Sequence, residues 1–406
     1  MKIARSLPLL LLLIGCGTQT PTPPPEVEVN DASQLEPDVG QRLDESWQVY
    51  KQQFIQGDGR VIDREASDRT VSEGQAYALL RAVMANDPTT FSLVLNWSES
   101  NLRVQEEGAA VHQLWAWKWG RDEANQWGIL DANFASDADL DACVALILAA
   151  RRWNQPQYEA LAQAKLADLW ALSTVPIPNR QQLAGSRLFI PGPKESFQPS
   201  LTEVILNPSY LAPYAFRLFA QVDPDHDWLT LVDSSYDVLT QSAKVSEVGL
   251  PGNWVTLDLT TGSYRPVDQS TDQSTNLSSH YGFDSYRVWW RVALDAALAK
   301  EPRATAYLEQ HLTPLTDWWQ TTGAVPAEIG LGGEALVEYD SSSQYGMLYP
   351  ALAQTSPAIA EQIFDQALLP LYRQGIWESD TAYYAQNLIW LGLYPMADLA
   401  QLDWQL

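Results

Sequence analysis

Apolar residues recur at helical spacing through most of this chain. Ala76, Leu79, Leu80 and Val83 form one stripe, Leu140, Val144, Ile147 and Leu148 a second, and Val288, Val292 and Ala296 a third. Residues three or four apart share one face of a helix, so each run predicts a helix with one side turned to a core. The pattern stays mainly helical from about Leu43 to the end with no second low-complexity break, which fits one domain over residues 43–406 better than two. The exception lies between about Gly249 and Ser279. There Trp254-Val255-Thr256-Leu257 is β-prone and a run of Ser, Thr, Asp, Gln and Asn follows, predicting a hairpin or long loop inserted between helices. No repeat of fixed period is visible, so a TPR or ankyrin array has no support.

The first residues break this pattern. Lys2 and Arg5 precede an apolar run from Leu7 to Ile14, the layout of an export signal over residues 1–15 and too short a run to span a bilayer. Leu13-Ile14-Gly15-Cys16 resembles the lipobox of bacterial lipoproteins, in which the cysteine becomes the lipidated first residue. Residues 16–42, with Thr20-Pro21-Thr22-Pro23-Pro24-Pro25, read as an extended tether. The expected setting is therefore the bacterial cell envelope, exported and lipid-anchored through Cys16, in the periplasm or at the cell surface. Cys143 is then left without a partner, so packing rather than a disulfide must hold the fold.

Composition narrows the partners. The chain is 46% hydrophobic, enough for a large core, and its 25 Lys and Arg face 50 Asp and Glu, a net charge of −25. Such a surface repels phosphate backbones, which makes nucleic acid an unsuitable partner. There is no His-Glu-x-x-His, Cys/His cluster, Gly-x-Ser-x-Gly or P-loop, and only four His, so metalloprotease, α/β-hydrolase and NTPase chemistry fall away and neither metal nor cofactor is predicted.

What remains is a set of acids at helix starts. Ser72-Glu73-Gly74-Gln75 opens the helix running toward Met84, with Glu73 in its first turn. An isolated Glu there is ordinary, since the helix dipole favours it. The same dipole lowers a carboxyl pKa, so Glu73 could act as a general acid only where burial or nearby carboxylates push it back up; a crowded acidic cleft is the corollary. Ala135-Ser136-Asp137-Ala138-Asp139-Leu140-Asp141 leads into the second helix, and Ser136 or Asp137 could cap it. The Asp-x-Asp-x-Asp run is not an EF-hand, because Ala142 stands where Gly is needed and Leu148 where Glu is needed. The third segment, Phe283-Asp284-Ser285-Tyr286-Arg287, precedes the third stripe and places Asp284 three residues from Arg287.

Together these segments resemble glycoside hydrolase family 8. The likeness starts at Gly59-Arg60-Val61-Ile62-Asp63 and passes through Ser72-Glu73-Gly74-Gln75, Ala85-Asn86-Asp87, Trp117-Lys118-Trp119-Gly120 and Ala135-Ser136-Asp137. It continues through Asn207-Pro208-Ser209-Tyr210 and Asp284 to Tyr383-Tyr384, nearly all the chain beyond the tether. The resemblance implies an all-α fold, an (α/α)6 barrel of inner and outer helices with its cleft where the inner N-termini meet. It implies hydrolysis of a β-1,4-glucan with inversion, Glu73 matching the proton donor and Asp284 the base. Asp137 matches an acid beside the central sugar; binding and distorting that sugar is its expected role, base duty the alternative. Arg287 would orient Asp284, while Trp117, Trp119, Tyr210, Tyr383 and Tyr384 match substrate-binding positions whose rings can stack on sugars. Where the family often has a Tyr, this chain has Phe283. The pattern is most similar to the branch of the family that accompanies bacterial cellulose synthase, which makes that complex an expected partner. Chitosanase, xylanase and mixed-linkage glucanase remain open within the family, as does a non-catalytic glucan-binding lipoprotein that keeps the barrel but has lost turnover.

Overall fold

A computed structural model describes residues 36–177, 186–267 and 277–405. The signal segment, Cys16 and most of the tether lie outside these residues. The helices are α1 (Glu36–Phe54), α2 (Ser72–Met84), α3 (Pro88–Asn101), α4 (Ser136–Trp153), α5 (Pro156–Ser173), α6 (Lys194–Phe197), α7 (Pro213–Val222) and α8 (Leu229–Ser242). They continue with α9 (Tyr286–Leu298), α10 (Pro302–His311), α11 (Thr313–Thr322), α12 (Ser342–Thr355), α13 (Pro357–Ile363), α14 (Tyr383–Leu393) and α15 (Met396–Leu399). Proline opens α3, α5, α7, α10 and α13, where its missing N–H costs nothing.

Packing arranges most of these in two rings. Helices α2, α4, α7, α9, α12 and α14 touch in that order and α14 returns to α2, closing an inner ring of six. Outside it, α1 lies on α14, α3 on α2, α5 on α4, α8 on α7, α10 on α9 and α13 on α12. This is the (α/α)6 barrel. The inner helices are enclosed on every side, so the stripes seen in the sequence are only part of what they bury: all of α4 from Ser136 to Ala150 is buried. Their close approach needs glycine at one point. A Cβ on Gly392 of α14 would sit 1.8 Å from the carbonyl oxygen of Gly346 in α12.

Two departures from the sequence reading concern boundaries and strands. Residues 36–42, assigned to the tether, belong to α1, because Val39 continues the buried stripe of Leu43, Trp47, Tyr50 and Phe54 one turn further back. The second departure is a sheet no helical pattern announced: β1 (Thr70–Val71), β2 (Arg103–Glu106), β3 (Ala109–Arg121) and β4 (Trp127–Phe134). The long β3 pairs antiparallel with the other three, setting Val71 opposite Lys118 and Thr70 opposite Trp119. Strands β5 (Thr174–Pro176) and β6 (Arg187–Phe189) pair with each other. The β-prone run near Trp254 does form the expected hairpin, β8 (Val255–Asp258) with β9 (Tyr264–Pro266), and β7 (Glu203–Leu206) adds a third strand. Residues 268–276 of that insertion lie outside those described. Last, β10 (Tyr372–Arg373) pairs with β11 (Ile376–Trp377).

Candidate active site

Because the inner helices share a direction, their N-termini gather at one end of the barrel, and the sequence-predicted acids gather with them. Glu73 starts α2, Asp137 starts α4, Tyr210 closes the 3-10 turn before α7, Asp284 and Arg287 flank the start of α9, and Tyr383 and Tyr384 start α14. Arg287 ties them together. Its Nη1 donates to Asp137 Oδ2 at 2.7 Å and to the Tyr77 hydroxyl at 3.3 Å, and its Nη2 donates to Ser209 Oγ and to Asp284 Oδ1, each at 3.0 Å. The Tyr210 ring lies beneath the guanidinium, 5.3 Å from its centre. One turn further along α9, Arg291 forms a second buried fork onto Asp141 at 2.8 and 2.9 Å, locking α9 to α4.

The two aspartates bound by Arg287 differ in access. Asp137 is 1% exposed and both its oxygens are engaged, Oδ2 by Arg287 and Oδ1 by the Ala138 N–H at 2.9 Å. Asp284 is 35% exposed, its Oδ1 on Arg287 and its Oδ2 accepting from Trp254 Nε1 at 2.9 Å. Asparagines fix the segments that carry these contacts. Asn253 Oδ1 accepts from both the N–H and Oγ of Ser285, pinning the loop of Asp284, and Asn207 Oδ1 does the same for Ser209. Ser136 does not cap α4 as the sequence suggested: Ala135 stands at the cap, and Ser136 Oγ instead donates to the Ile190 carbonyl at 2.7 Å.

Glu73 makes no such ion pair; the Ser72 hydroxyl lies 3.3 Å from its Oε2, and its own backbone N–H also reaches the carboxylate. Burial, and next the negative charge of Asp137, push its carboxyl up from 4.5 to about 7. The helix start and Arg287 pull the other way and lose. Burial also raises Asp137, against the pull of Arg287 and Arg291. Tyr383 closes one wall: its ring packs on Gly74, where a Cβ would come within 3.3 Å, and burial and Glu73 both keep its phenol protonated. Tyr384 donates its hydroxyl to the Phe283 carbonyl at 3.0 Å.

The predicted aromatic pair on β3 divides. Trp119 is occupied by packing, stacked on Trp127 with centroids 4.9 Å apart and edge-on to Trp97 at 5.2 Å. Trp117 is half-buried, with the Lys118 ammonium 5.5 Å from its centroid. Three residues at the site were not foreseen. Tyr77 carried a usable signal, being one helical turn beyond Glu73 on the same face. Ser209 sat inside a quoted motif without a role. Trp254, stacked on Phe197 at 5.7 Å, gave no sign beyond its β-prone neighbours.

A clustered set of acids around one arginine, at the mouth of an (α/α)6 barrel, sets the frame for comparison with known proteins. The model of glycosyl hydrolases family 8 matches residues 38–320. This chain belongs to that family. An endoglucanase from Xanthomonas axonopodis pv. citri is 33% identical over 84% of this chain and 87% of its own length. Among solved structures, an endo-1,4-D-glucanase from Vibrio fischeri superposes with a TM-score of 0.68 at 25% identity, covering 86% of this chain and 93% of its own. A cold-adapted family 8 xylanase bound to substrate gives 0.73 at 18% identity, over 91% and 94% of the two chains, which speaks for the fold alone. As a family 8 member the protein is a glycoside hydrolase.

Proposed function

We propose that this family 8 enzyme cleaves β-1,4-glucan chains internally, with inversion at the anomeric carbon, Glu73 acting as general acid and Asp284 as general base. The observation that carries the reading is the unequal treatment of the three acids. Glu73, raised to about 7 by burial and Asp137, still holds a proton near neutrality and can deliver it to the glycosidic oxygen as the C–O bond breaks. Asp284, held to Arg287 at 3.0 Å and partly open to solvent, is the acid that a water molecule can reach. That water attacks the anomeric carbon from the face opposite Glu73 and gives up its proton to Asp284. Asp137 is buried beneath Arg287 whereas Asp284 is open, which favours direct displacement by water over attack by Asp137 to form a covalent glycosyl intermediate. Its charge, fixed beside the reacting ring, suits stabilisation of the oxocarbenium-like transition state. The endoglucanase relatives support glucan as the substrate.

The test is to follow hydrolysis of a neutral cello-oligosaccharide by proton NMR with the wild type, Glu73→Gln and Asp284→Asn. The α-anomer is expected first, and each substitution should slow the reaction by roughly 10²-fold or more. First appearance of the β-anomer, or full activity of Glu73→Gln, would overturn the assignment, and faster cleavage of xylan or chitosan than of glucan would move the substrate. We further propose that Cys16 anchors the enzyme by lipid to the cell envelope, where it trims glucan beside the cellulose synthase that exports it. Cys16→Ala should then move the protein from the membrane fraction to the soluble one; continued membrane retention would sink the anchor.

A further inference from the structure

Beside the catalytic end, on the flank of β1 and β3, lies a cavity of about 500 Å³ to which the mechanism assigns no task. It is lined by Ala66, Ser67, Asp68, Arg69, Lys118, Arg121, Trp127 and Leu130. In a chain with twice as many acids as bases, three cations and a single carboxylate border this one space. Arg69 gives its Nε to Asp63 at 2.9 Å, whereas Arg121 donates to the neutral amide of Asn125 at 3.1 Å and lies over the Trp127 ring at 4.6 Å. Trp127 is 42% exposed although its other contacts, Trp119 and Arg60, hold it rigidly. Leu130 is exposed beside it. An exposed apolar floor ringed by cations is built for a ligand with both an apolar face and negative charge.

Its position narrows that ligand. The strand that leaves the rim at Arg69 is β1, and β1 runs directly into Glu73. Arg69 and Glu73 are only four residues apart across the junction of β1 and α2, at most roughly 14 Å of chain and within the reach of a short oligosaccharide. Lys118 is the pairing partner of Val71 on that same strand, so cavity and cleft share a wall. The geometry points to an accessory saccharide site that takes the acid-bearing part of a substituted glucan chain whose neutral stretch lies in the catalytic cleft. Carboxylate substituents would sit among Arg69, Lys118 and Arg121, with a pyranose face on Trp127 and Leu130. The inference rests on the β-1,4-glucanase reading and adds to it a preference among decorated chains.

Binding to Glu73→Gln, which cannot turn over, separates this site from the chemistry. The probes are cello-oligosaccharides of one length, neutral or bearing carboxylates at C6, titrated calorimetrically at low and high salt. The acidic chain should bind roughly tenfold tighter at low salt, and the advantage should shrink as salt screens it. Adding Lys118→Ala and Arg121→Ala together should erase the advantage while the melting temperature and the circular dichroism spectrum stay those of the parent. Equal affinity for the two oligosaccharides, or an advantage that survives the double substitution in a folded protein, overturns the site. Failure of the catalytic reading would show separately, as absent cleavage of the neutral chain by the wild type.

Discussion

Replacing Asp137 with Asn isolates the force that keeps Glu73 protonated. The climb of Glu73 from 4.5 to about 7 is worth roughly 3 kcal/mol of preference for the neutral acid, at about 1.4 kcal/mol per pKa unit. Burial is the larger cause and is left intact by the substitution; the negative charge of Asp137 is the next. Asn removes that charge, and it also strips Arg287 of its 2.7 Å partner, so the guanidinium acts more strongly on Glu73. Both changes favour the ionised form. The Glu73 pKa should therefore fall, yet remain above 4.5 because desolvation persists. The assay is kcat/KM against pH, from about pH 4 to pH 9, on a neutral soluble β-glucan, so that only the enzyme titrates. The wild type should lose activity on the alkaline side with a midpoint near 7, and Asp137→Asn should move that midpoint to lower pH. The height of the profile will drop as well, since Asp137 faces the developing charge, but the midpoint is independent of height. An alkaline midpoint that stays in place or rises would refute the claim that Asp137 helps hold the proton on Glu73.

Two further outcomes follow from the same geometry. Trp254→Phe keeps the ring against Phe197 and Tyr210 but removes the 2.9 Å bond to Asp284 Oδ2, so steady-state kinetics should show kcat down about tenfold with KM little changed; an effect confined to KM would assign Trp254 to substrate binding instead. Glu73→Gln should stabilise the fold in alkaline solution: folded Glu73 keeps a proton that the unfolded chain releases, so stability falls as pH rises from about 4.5 through 7, a loss Gln does not suffer. Melting temperatures at about pH 4 and pH 8 check this, and an equal difference between the two proteins at both pH values would contradict it.

The helical barrel and its acids were legible because both depend on short-range pattern. Glu73, Asp137 and Asp284 each sit at the start of an apolar stripe, and a helix start fixes where a side chain points relative to the bundle. The quoted motifs supplied the roles proposed for them. Trp254 was not legible, for it meets Asp284 across 30 residues of sequence. The sheet of β2, β3 and β4 escaped for a different reason. Trp115, Trp117 and Trp119 alternate with smaller or charged residues as a strand requires, but bulges at Ala116–Lys118 and Lys118–Trp119 break the register that would make the alternation plain. The start of α1 was misplaced because proline and acidic residues dominate its first turn, which is what a helix N-terminus tolerates and what a tether also contains.

Three acids at equivalent ends of parallel helices would share one protonation state if the helix dipole governed them. The dipole effect is worth roughly 0.3–1 kcal/mol and up to about 2 in partly buried sites, less than the roughly 3 kcal/mol that favours neutral Glu73. Burial is what raises Glu73 most, and the reach of one side chain adds to the difference between the acids. Arg287 gives an N–H to Asp137 and another to Asp284, whereas Glu73 accepts from the Ser72 hydroxyl and from its own backbone N–H. Burial raises both Glu73 and Asp137, but at Asp137 Arg287 and Arg291 oppose it, whereas at Glu73 the charge of Asp137 adds to it. On the proposed assignment the proton donor is the buried acid that the arginine does not hold, so burial and the placement of one cation together set Glu73 apart.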